Sequence, residues 1–290
     1  MSDFEVLRSI AIGQYFPTGS ALHRLDPRVR LTGVVLLLLA LMVNPGPAVG
    51  LLGIALALGL LLTAHAPLGH ALRSLRPLLP LFALVLVLQL LFYPHAAAVA
   101  AGSPLLWQWG PIWISAASLI GALAMLLRMV AIVLLLTLLT AIADTTDLVH
   151  AVEGMLRPFQ RLRLPAHELA LVLVVALRFI PLLGQELERL MKAQAARGAD
   201  FGRGRGGLIR RVRHIFPLVI PLFVLALRRA EELALAMEAR GYSGGHGRTS
   251  LVCLHMQPAD FLALGAALAI GAALFAVGFG QVEQTIAPWL

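Results

Sequence analysis

The stretch that decides the fold covers residues 112–143 and reads IWISAASLIGALAMLLRMVAIVLLLTLLTAIA. Its one charged residue is Arg128. A transmembrane α-helix needs about 20 consecutive, predominantly apolar residues to cross the hydrocarbon core of a bilayer. This stretch is longer than that minimum, so it predicts a membrane-spanning helix and an integral membrane protein.

The composition of the whole chain agrees with a membrane protein. Of its 290 residues, 59% are hydrophobic and only 13% are charged, against about 25% charged in soluble domains. The single cysteine, Cys253, cannot form an internal disulfide. A water-soluble enzyme is therefore excluded as the class of protein.

The charged residues are distributed unevenly along the chain. Residues 144–258 contain 16 of the 23 basic residues and 10 of the 15 acidic ones, whereas residues 31–143 contain three arginines and no acid. Lys and Arg next to membrane spans stay on the cytoplasmic side. The pattern predicts a multi-pass protein of the cell membrane with a cytoplasmic N-terminus.

The apolar runs divide the chain into four parts. We predict a cytoplasmic N-terminal segment at 1–30, a transmembrane domain at 31–143, a cytoplasmic or membrane-surface domain at 144–258 and a closing transmembrane helix at 259–282. The first run is only thirteen residues long, so it either tilts or forms a re-entrant hairpin with the second. The candidate spans are Leu31–Val43, Val49–Ala64, Leu78–Tyr93, Ile112–Ala143 and Phe261–Phe279. The predicted fold class is an all-α integral membrane protein with about five transmembrane helices and about three cytoplasmic helices.

Three helices are expected between residues 144 and 258. Asp144-Thr145-Thr146-Asp147 is typical of a helix N-terminus, because side-chain oxygens accept hydrogen bonds from the free backbone N–H groups there. A longer helix is expected from Ala166 to Arg197, and a third helix ends at Arg240. We expect these two helices to lie along the membrane face or against a membrane partner, because their apolar stretches are short and interrupted. Those stretches are Leu169–Leu183 and Ile215–Leu227.

A local repeat relates the two longer helices. Residues Glu188–Gly198 align with Glu231–Gly241 at a constant offset of 43, and six positions are identical. An arginine followed by glycine is an ordinary helix ending, because the helix dipole favours the cation and glycine adopts the left-handed conformation. The duplication favours a pair of docking sites instead. The two copies end in Ala196, Arg197 and Gly198 and in Ala239, Arg240 and Gly241.

A second unusual segment precedes the first apolar run. Residues 13–30 read GQYFPTGSALHRLDPRVR and contain the element Leu25-Asp26-Pro27-Arg28. We expect Asp26 to cap a helix or to pair with Arg24 or Arg28. The element resembles the signature of the transmembrane T component (EcfT) of energy-coupling factor (ECF) vitamin transporters. The two Ala-Arg-Gly endings are similar to the paired coupling motifs of that family, and the resemblance covers nearly the whole chain.

The resemblance implies a role in transport without catalysis. Arg197 and Arg240 would each enter a groove on one of two ATP-binding-cassette (ABC) ATPase subunits, with the flanking Ala and Gly residues permitting close approach. The segment 144–258 would be a coupling domain. Its apolar stretches would bear against a membrane-embedded substrate-binding subunit, the S component, which captures a vitamin or a metal ion. ATP and Mg²⁺ would be bound by the ATPases and not by this chain.

The sequence itself contains no nucleotide-binding loop. Such a loop needs a lysine before Ser or Thr, and the only lysine, Lys192, precedes Ala193. No metal-ligand or catalytic-triad spacing is present, so we predict no catalytic residue, bound cofactor or metal site. The Arg-Gly segment Gly202–Gly207 lies beside the membrane and has only Phe201 as an aromatic neighbour. Lipid, and not nucleic acid, is therefore its expected contact.

Arg128 stands alone in the longest apolar run. A charge there costs at least about 2.5–3.5 kcal/mol, so Arg128 either has an intramembrane function or an interior partner, or lies on a displaced helix and reaches the interface. The main alternative to a transporter subunit is a stand-alone secondary transporter or channel; an intramembrane enzyme and a membrane-bound scaffold are the other two. A secondary transporter or channel needs polar or acidic residues at mid-membrane depth, and residues 31–127 contain no Asp or Glu.

Overall fold

The computed structural model describes residues 18–44, 46–92, 105–109, 112–156, 166–198, 208–242, 244 and 255–286. Within these ranges the regular secondary structure is helical except for one short hairpin, so the predicted all-α fold class is confirmed. The predicted Arg-Gly link and the first 17 residues lie outside the described residues. The helices are α1 (Pro27–Val43), α2 (Pro47–Thr63), α3 (Leu68–Leu75), α4 (Leu79–Leu91), α5 (Ala116–Ile142), α6 (Thr145–Leu156), α7 (Ala166–Ala196), α8 (Leu208–Ala239) and α9 (Pro258–Ile286). The antiparallel strands are β1 (Leu105–Trp109) and β2 (Ile112–Ser115).

Four of the described helical segments are long and apolar enough to cross a membrane. Three correspond to predicted spans: Leu68–Leu91, Ala116–Ile142 and Pro258–Gly278. The first of them is longer than its apolar run, because α3 continues through a 3-10 turn at Arg76–Leu78 into α4. The fourth segment, Glu168–Ala196, was not among the five predicted spans.

The helix α7 is longer than the apolar stretch Leu169–Leu183 that it contains, and it continues through Pro181. Its segment Glu168–Ala196 is 29 residues long and qualifies as a candidate span by length and composition. A proline inside a helix removes one backbone hydrogen bond but does not always end the helix. The helix α8 likewise continues through Pro217 and Pro221.

The longest span begins four residues later than its apolar run. Ile112–Ser115 forms β2, and α5 starts at Ala116. Ser115 and Ser118 cause this boundary, because each side chain accepts a hydrogen bond from the other residue's backbone N–H, at 3.2 Å and 3.1 Å. This reciprocal arrangement is a capping box, which ends the extended segment and starts the helix.

The two short helices α1 and α2 are each 17 residues long, about 25 Å at 1.5 Å per residue. They pack mainly against other helices, with α2 against α5 and α1 against α9. The contact of α2 with α5 needs glycine at position 50, because a Cβ there would lie 2.8 Å from the Cβ of Leu127. The apolar core of this helix group centres on the fully buried Leu41, Leu61, Leu135 and Leu138.

The chain divides into two compact units. One contains the described residues within Val152–Val252, with α7, α8 and the last turn of α6. The other contains Gly13–Ala151 and Cys253–Leu290, with α1 to α5 and α9. Within the first unit α7 packs against α8.

Candidate functional site

The first candidate docking end is the C-terminus of α7. This helix ends after Ala196, and Gly198 has a backbone φ of +85°. The N–H of Gly198 donates to the carbonyl of Ala195 at 3.0 Å, and the N–H of Arg197 donates to that of Gln194 at 3.1 Å. The predicted helix end at Arg197 and Gly198 is confirmed, since glycine adopts this left-handed conformation without a Cβ clash.

The second candidate docking end, at the C-terminus of α8, is also closed by a glycine with a positive φ. Gly241 has a φ of +76°. The N–H of Tyr242 donates to the carbonyl of Met237 at 2.9 Å, and the N–H of Gly241 donates to that of Glu238 at 2.9 Å. These two bonds together form a Schellman motif, which satisfies carbonyl groups left free at a helix end. Arg240 is thereby held at the negative end of the helix dipole.

Both Ala-Arg-Gly endings are exposed. All six residues of the two endings are solvent-accessible in the unit that contains them. Within the part of the chain that the structure describes, neither Arg197 nor Arg240 forms a salt bridge with an acidic side chain. The two guanidinium groups are therefore accessible to a partner.

An ion pair joins α7 to α8 eleven residues before each docking arginine. The Nη2 atom of Arg229 lies 2.6 Å from Oε1 of Glu186. Arg189 approaches the same oxygen at 3.3 Å from the next turn of α7. Sequence reasoning missed this pair, although Glu186 and Arg229 are separated by 43 residues, which is the offset of the repeat.

The Leu25–Arg28 element builds the N-terminus of α1. Oδ1 of Asp26 accepts a hydrogen bond from the backbone N–H of Arg28 at 2.9 Å, and Pro27 is the first helical residue. The predicted capping role of Asp26 is confirmed. The N–H of Asp26 donates in turn to Oδ1 of Asp260, at the start of α9, at 2.8 Å.

Arg30 is a buried residue that the sequence did not single out. Its Nε donates to the carbonyl of Leu25 at 3.0 Å and its Nη1 donates to the carbonyl of Ile142 at 2.6 Å. Its Nη2 forms a salt bridge with Oδ2 of Asp147 at 3.1 Å. The side chain of Arg30 is 5% exposed. One guanidinium thus joins the start of α1 to the end of α5 and the start of α6.

Asp144 and Asp147 lie at the start of α6, where Arg30 joins α1 to α5 and α6. Oδ1 of Asp144 accepts a hydrogen bond from the N–H of Thr145 at 2.7 Å, and its carbonyl accepts from Leu148 at 3.0 Å. The helix start predicted here is confirmed.

Arg128 has a partner at the end of another helix. Its Nη1 donates to the carbonyl of Met42 at 3.2 Å, in the last turn of α1. Arg128 lies fourteen residues before the end of α5, about 21 Å along the helix axis. Arg30 contacts the C-terminal end of α5. Measured from that end, Arg128 lies beyond the midpoint of a hydrocarbon core, which is about 30 Å thick. The guanidinium satisfies a carbonyl that the helix itself leaves free.

The described residues offer little to a water-soluble ligand inside the helix group. A groove of about 360 Å³ between α1 and α9 is lined by apolar residues: Leu36, Ala40, Ala267, Leu268, Gly271, Ala272, Phe275 and Ala276. Across the described ranges, no group of three or more His, Cys, Asp or Glu residues could hold a metal ion. The groove therefore resembles a lipid-facing surface more than a substrate site.

The fold and the site define a multi-pass α-helical membrane protein with a duplicated, arginine-tipped helix end. The model of the family described as CbiQ, cobalt transport protein, matches residues 18–251. Among characterised relatives, the energy-coupling factor transporter transmembrane protein EcfT of Acidaminococcus fermentans is 40% identical over 258 residues, which is 89% of this chain and 92% of the relative. The EcfT proteins of Thermosediminibacter oceani and Brevibacillus brevis are 38% and 41% identical, over 94% and 85% of this chain and 97% and 89% of each relative.

This chain therefore belongs to the EcfT family of energy-coupling factor transporter transmembrane proteins. It is a multi-pass membrane subunit of a transporter. The resemblance drawn from the Leu25–Arg28 element and the two Ala-Arg-Gly endings is thus confirmed at the level of the family.

Proposed function

We propose that this protein couples ATP hydrolysis by two ABC ATPase subunits to a membrane-embedded S component that takes up a vitamin or a metal ion. The ATPases dock on the endings Ala196–Gly198 and Ala239–Gly241. One observation carries this proposal: the two endings are identical in sequence, exposed, and closed by glycines in the same left-handed conformation.

The chemistry of the endings suits a narrow, acidic groove on a partner. The guanidinium group makes two parallel hydrogen bonds to a carboxylate. Ala and Gly on either side of each arginine add almost no bulk, so the partner's backbone can approach closely. Removing one member of such a pair costs about 2–5 kcal/mol, because the other charge stays buried without a partner. Contacts of this strength transmit movement from one subunit to another.

The S component binds the apolar faces of α7 and α8. Large hydrophobic side chains are exposed on both helices, and an exposed apolar surface beside a membrane needs either lipid or a protein partner. On α7 they are Leu169, Val172, Leu173 and Ile180; on α8 they are Phe216, Val219, Ile220, Phe223, Val224 and Leu227. The docking ends lie at the far ends of these same helices.

The remaining assignments follow from the same arrangement. Residues 144–258 form the cytoplasmic or membrane-surface coupling domain, the N-terminus is cytoplasmic, and ATP and Mg²⁺ bind only to the ATPases. The excess of arginine in 144–258 supports this orientation. The chain itself is not catalytic.

Affinity purification tests this function. The tagged chain is extracted from its native membrane in detergent and the co-purifying proteins are identified by mass spectrometry. We expect two ABC ATPases and a small membrane protein with the wild type. The double substitution Arg197→Glu and Arg240→Glu releases the ATPases, because it places a negative charge at each docking end.

A matched control separates docking from net charge. Lys192→Glu with Arg228→Glu changes one exposed cation on each of the same two helices, outside the Ala-Arg-Gly endings. The first of these substitutions also breaks the pair of Lys192 with Glu188 within α7. This control retains the ATPases. The proposal fails if the wild type recovers no ATPase, or if the Arg197 and Arg240 double variant recovers as much ATPase as the control.

A further inference from the structure

The ion pair between α7 and α8 joins two positions that correspond at the offset of the repeat and lie two residues before each copy of it. Glu186 and Arg229 are 43 residues apart, and 43 is the offset that superimposes the two Ala-Arg-Gly endings. The side chains contact each other directly at 2.6 Å. A contact between these two positions means that α7 and α8 meet at the same number of residues before Arg197 and Arg240.

The environment of this pair differs from that of the other charge pairs on α7. The Glu186 side chain is only 18% exposed and that of Arg229 is 31% exposed. Glu188 and Lys192, one turn apart on α7, are 33% and 58% exposed and pair within a single helix. Only the first pair therefore restrains one helix relative to the other, and its partial burial reduces screening by salt.

We call the part of each helix between the ion pair and the docking arginine its arm. The position of the pair makes the two arms equal in length. Eleven residues separate Glu186 from Arg197, and eleven separate Arg229 from Arg240. Each arm is therefore about 16 Å long at 1.5 Å per residue. A slip of one helix by a single turn would lengthen one arm relative to the other by about 5.4 Å.

We infer that Glu186 and Arg229 are positioning residues that form the pivot between the two docking helices, a role that rests on the function proposed above. The pair holds the contact between the two helices at equivalent positions. Arg197 and Arg240 consequently lie at equal distances from the pivot, and a rotation of one helix against the other displaces both ends by the same amount. Arg189 supports the pivot by sharing the Glu186 carboxylate.

A distance measurement on the full chain tests the pivot without any ATPase. Spin labels are attached to cysteines introduced at the exposed, equivalent positions Ala193 and Ala236, in a Cys253→Ser background in lipid nanodiscs. The parent protein gives one narrow distance distribution. Glu186→Arg broadens and shifts it through repulsion with Arg229, and the exchanged double variant Glu186→Arg with Arg229→Glu restores it.

Glu188→Arg is the matched control, because it reverses a charge two residues away and breaks only a pair within α7. It leaves the distribution narrow. The pivot is overturned if Glu186→Arg leaves the distribution unchanged, if the exchanged variant does not restore it, or if the control broadens it equally. The distance distribution of a variant is compared only when the variant elutes as a single species in size-exclusion chromatography, so that unfolded protein does not contribute to it.

The role in coupling is measured in the assembled transporter. With Glu186→Arg the ATPases stay bound, because Arg197 and Arg240 are intact, but the ATP hydrolysed per molecule of substrate taken up rises. The exchanged variant returns this ratio to the wild-type value. An unchanged ratio overturns the role in coupling, whereas loss of ATPases from the wild-type preparation contradicts the docking function and leaves the distance result standing.

Discussion

The backbone N–H of Asp26 donates a 2.8 Å hydrogen bond to the buried carboxylate of Asp260, which lies 234 residues further along the chain. The second oxygen of that carboxylate accepts the N–H of Gln257 at 2.7 Å. One side chain thus satisfies donors at the N-termini of both α1 and α9. Its negative charge also lies at the positive ends of both helix dipoles. The Leu25–Arg28 element is therefore a junction that closes the helix group.

Asp260→Ala is expected to lower stability. The substitution leaves two backbone N–H groups without a partner, and an unsatisfied buried donor costs about 1–3 kcal/mol. Thermal unfolding in detergent measures the effect as a fall in Tm. Asp260→Asn keeps one acceptor oxygen and has a smaller effect, and Glu232→Ala, at an exposed acid, has none. Equal Tm values for Asp260→Ala and Glu232→Ala would contradict the junction.

Arg30→Ala is expected to loosen the start of α6. It removes the hydrogen bonds to Leu25 and Ile142 and the salt bridge to Asp147, at a cost of about 2 kcal/mol or more. Amide hydrogen exchange measures this as faster exchange in the first turn of α6. Arg30→Lys gives an intermediate rate, because a lysine keeps the charge but not the three directed donors.

The control for that prediction is Arg24→Ala, which removes an exposed arginine six residues earlier. Its exchange rates in α6 match those of the wild type. If Arg30→Ala also leaves these rates unchanged, Arg30 does not hold the end of α5 against the start of α6.

Alanine at Gly198 or Gly241 is expected to weaken ATPase binding. Both glycines have a positive φ, where a Cβ costs about 1–2 kcal/mol. The last turn then relaxes and displaces the arginine beside it. The measurement is the affinity of the purified chain for its ATPases. Gly184→Ala is the control, because it lies inside α7 with open space around its Cβ position. It stabilises the helix by about 0.5–1 kcal/mol. ATPase binding by Gly241→Ala as tight as that by Gly184→Ala would rule out this role of the glycine.

Features that depend on neighbouring residues were predictable. The apolar runs predicted most of the spans because hydrocarbon thickness sets a minimum length, and the Asp144 and Arg-Gly patterns predicted helix ends because capping uses residues within one turn. Local patterns also predicted the extent of α7, since the expected helix from Ala166 to Arg197 agrees with the observed helix Ala166–Ala196. Pro181 removes one backbone hydrogen bond but does not end a helix of this length.

The sequence alone determined the membrane class, the division of charge between spans and polar segments, and the two Ala-Arg-Gly helix ends, because these follow from composition and spacing along the chain. Only the tertiary structure decided that Asp26 meets Asp260, that Arg30 meets Asp147 and that Glu186 meets Arg229. Such pairs depend on hydrogen-bond distances of about 3 Å between distant segments. Helix packing sets those distances. The residue types at two positions do not by themselves show that the two residues lie within hydrogen-bond distance.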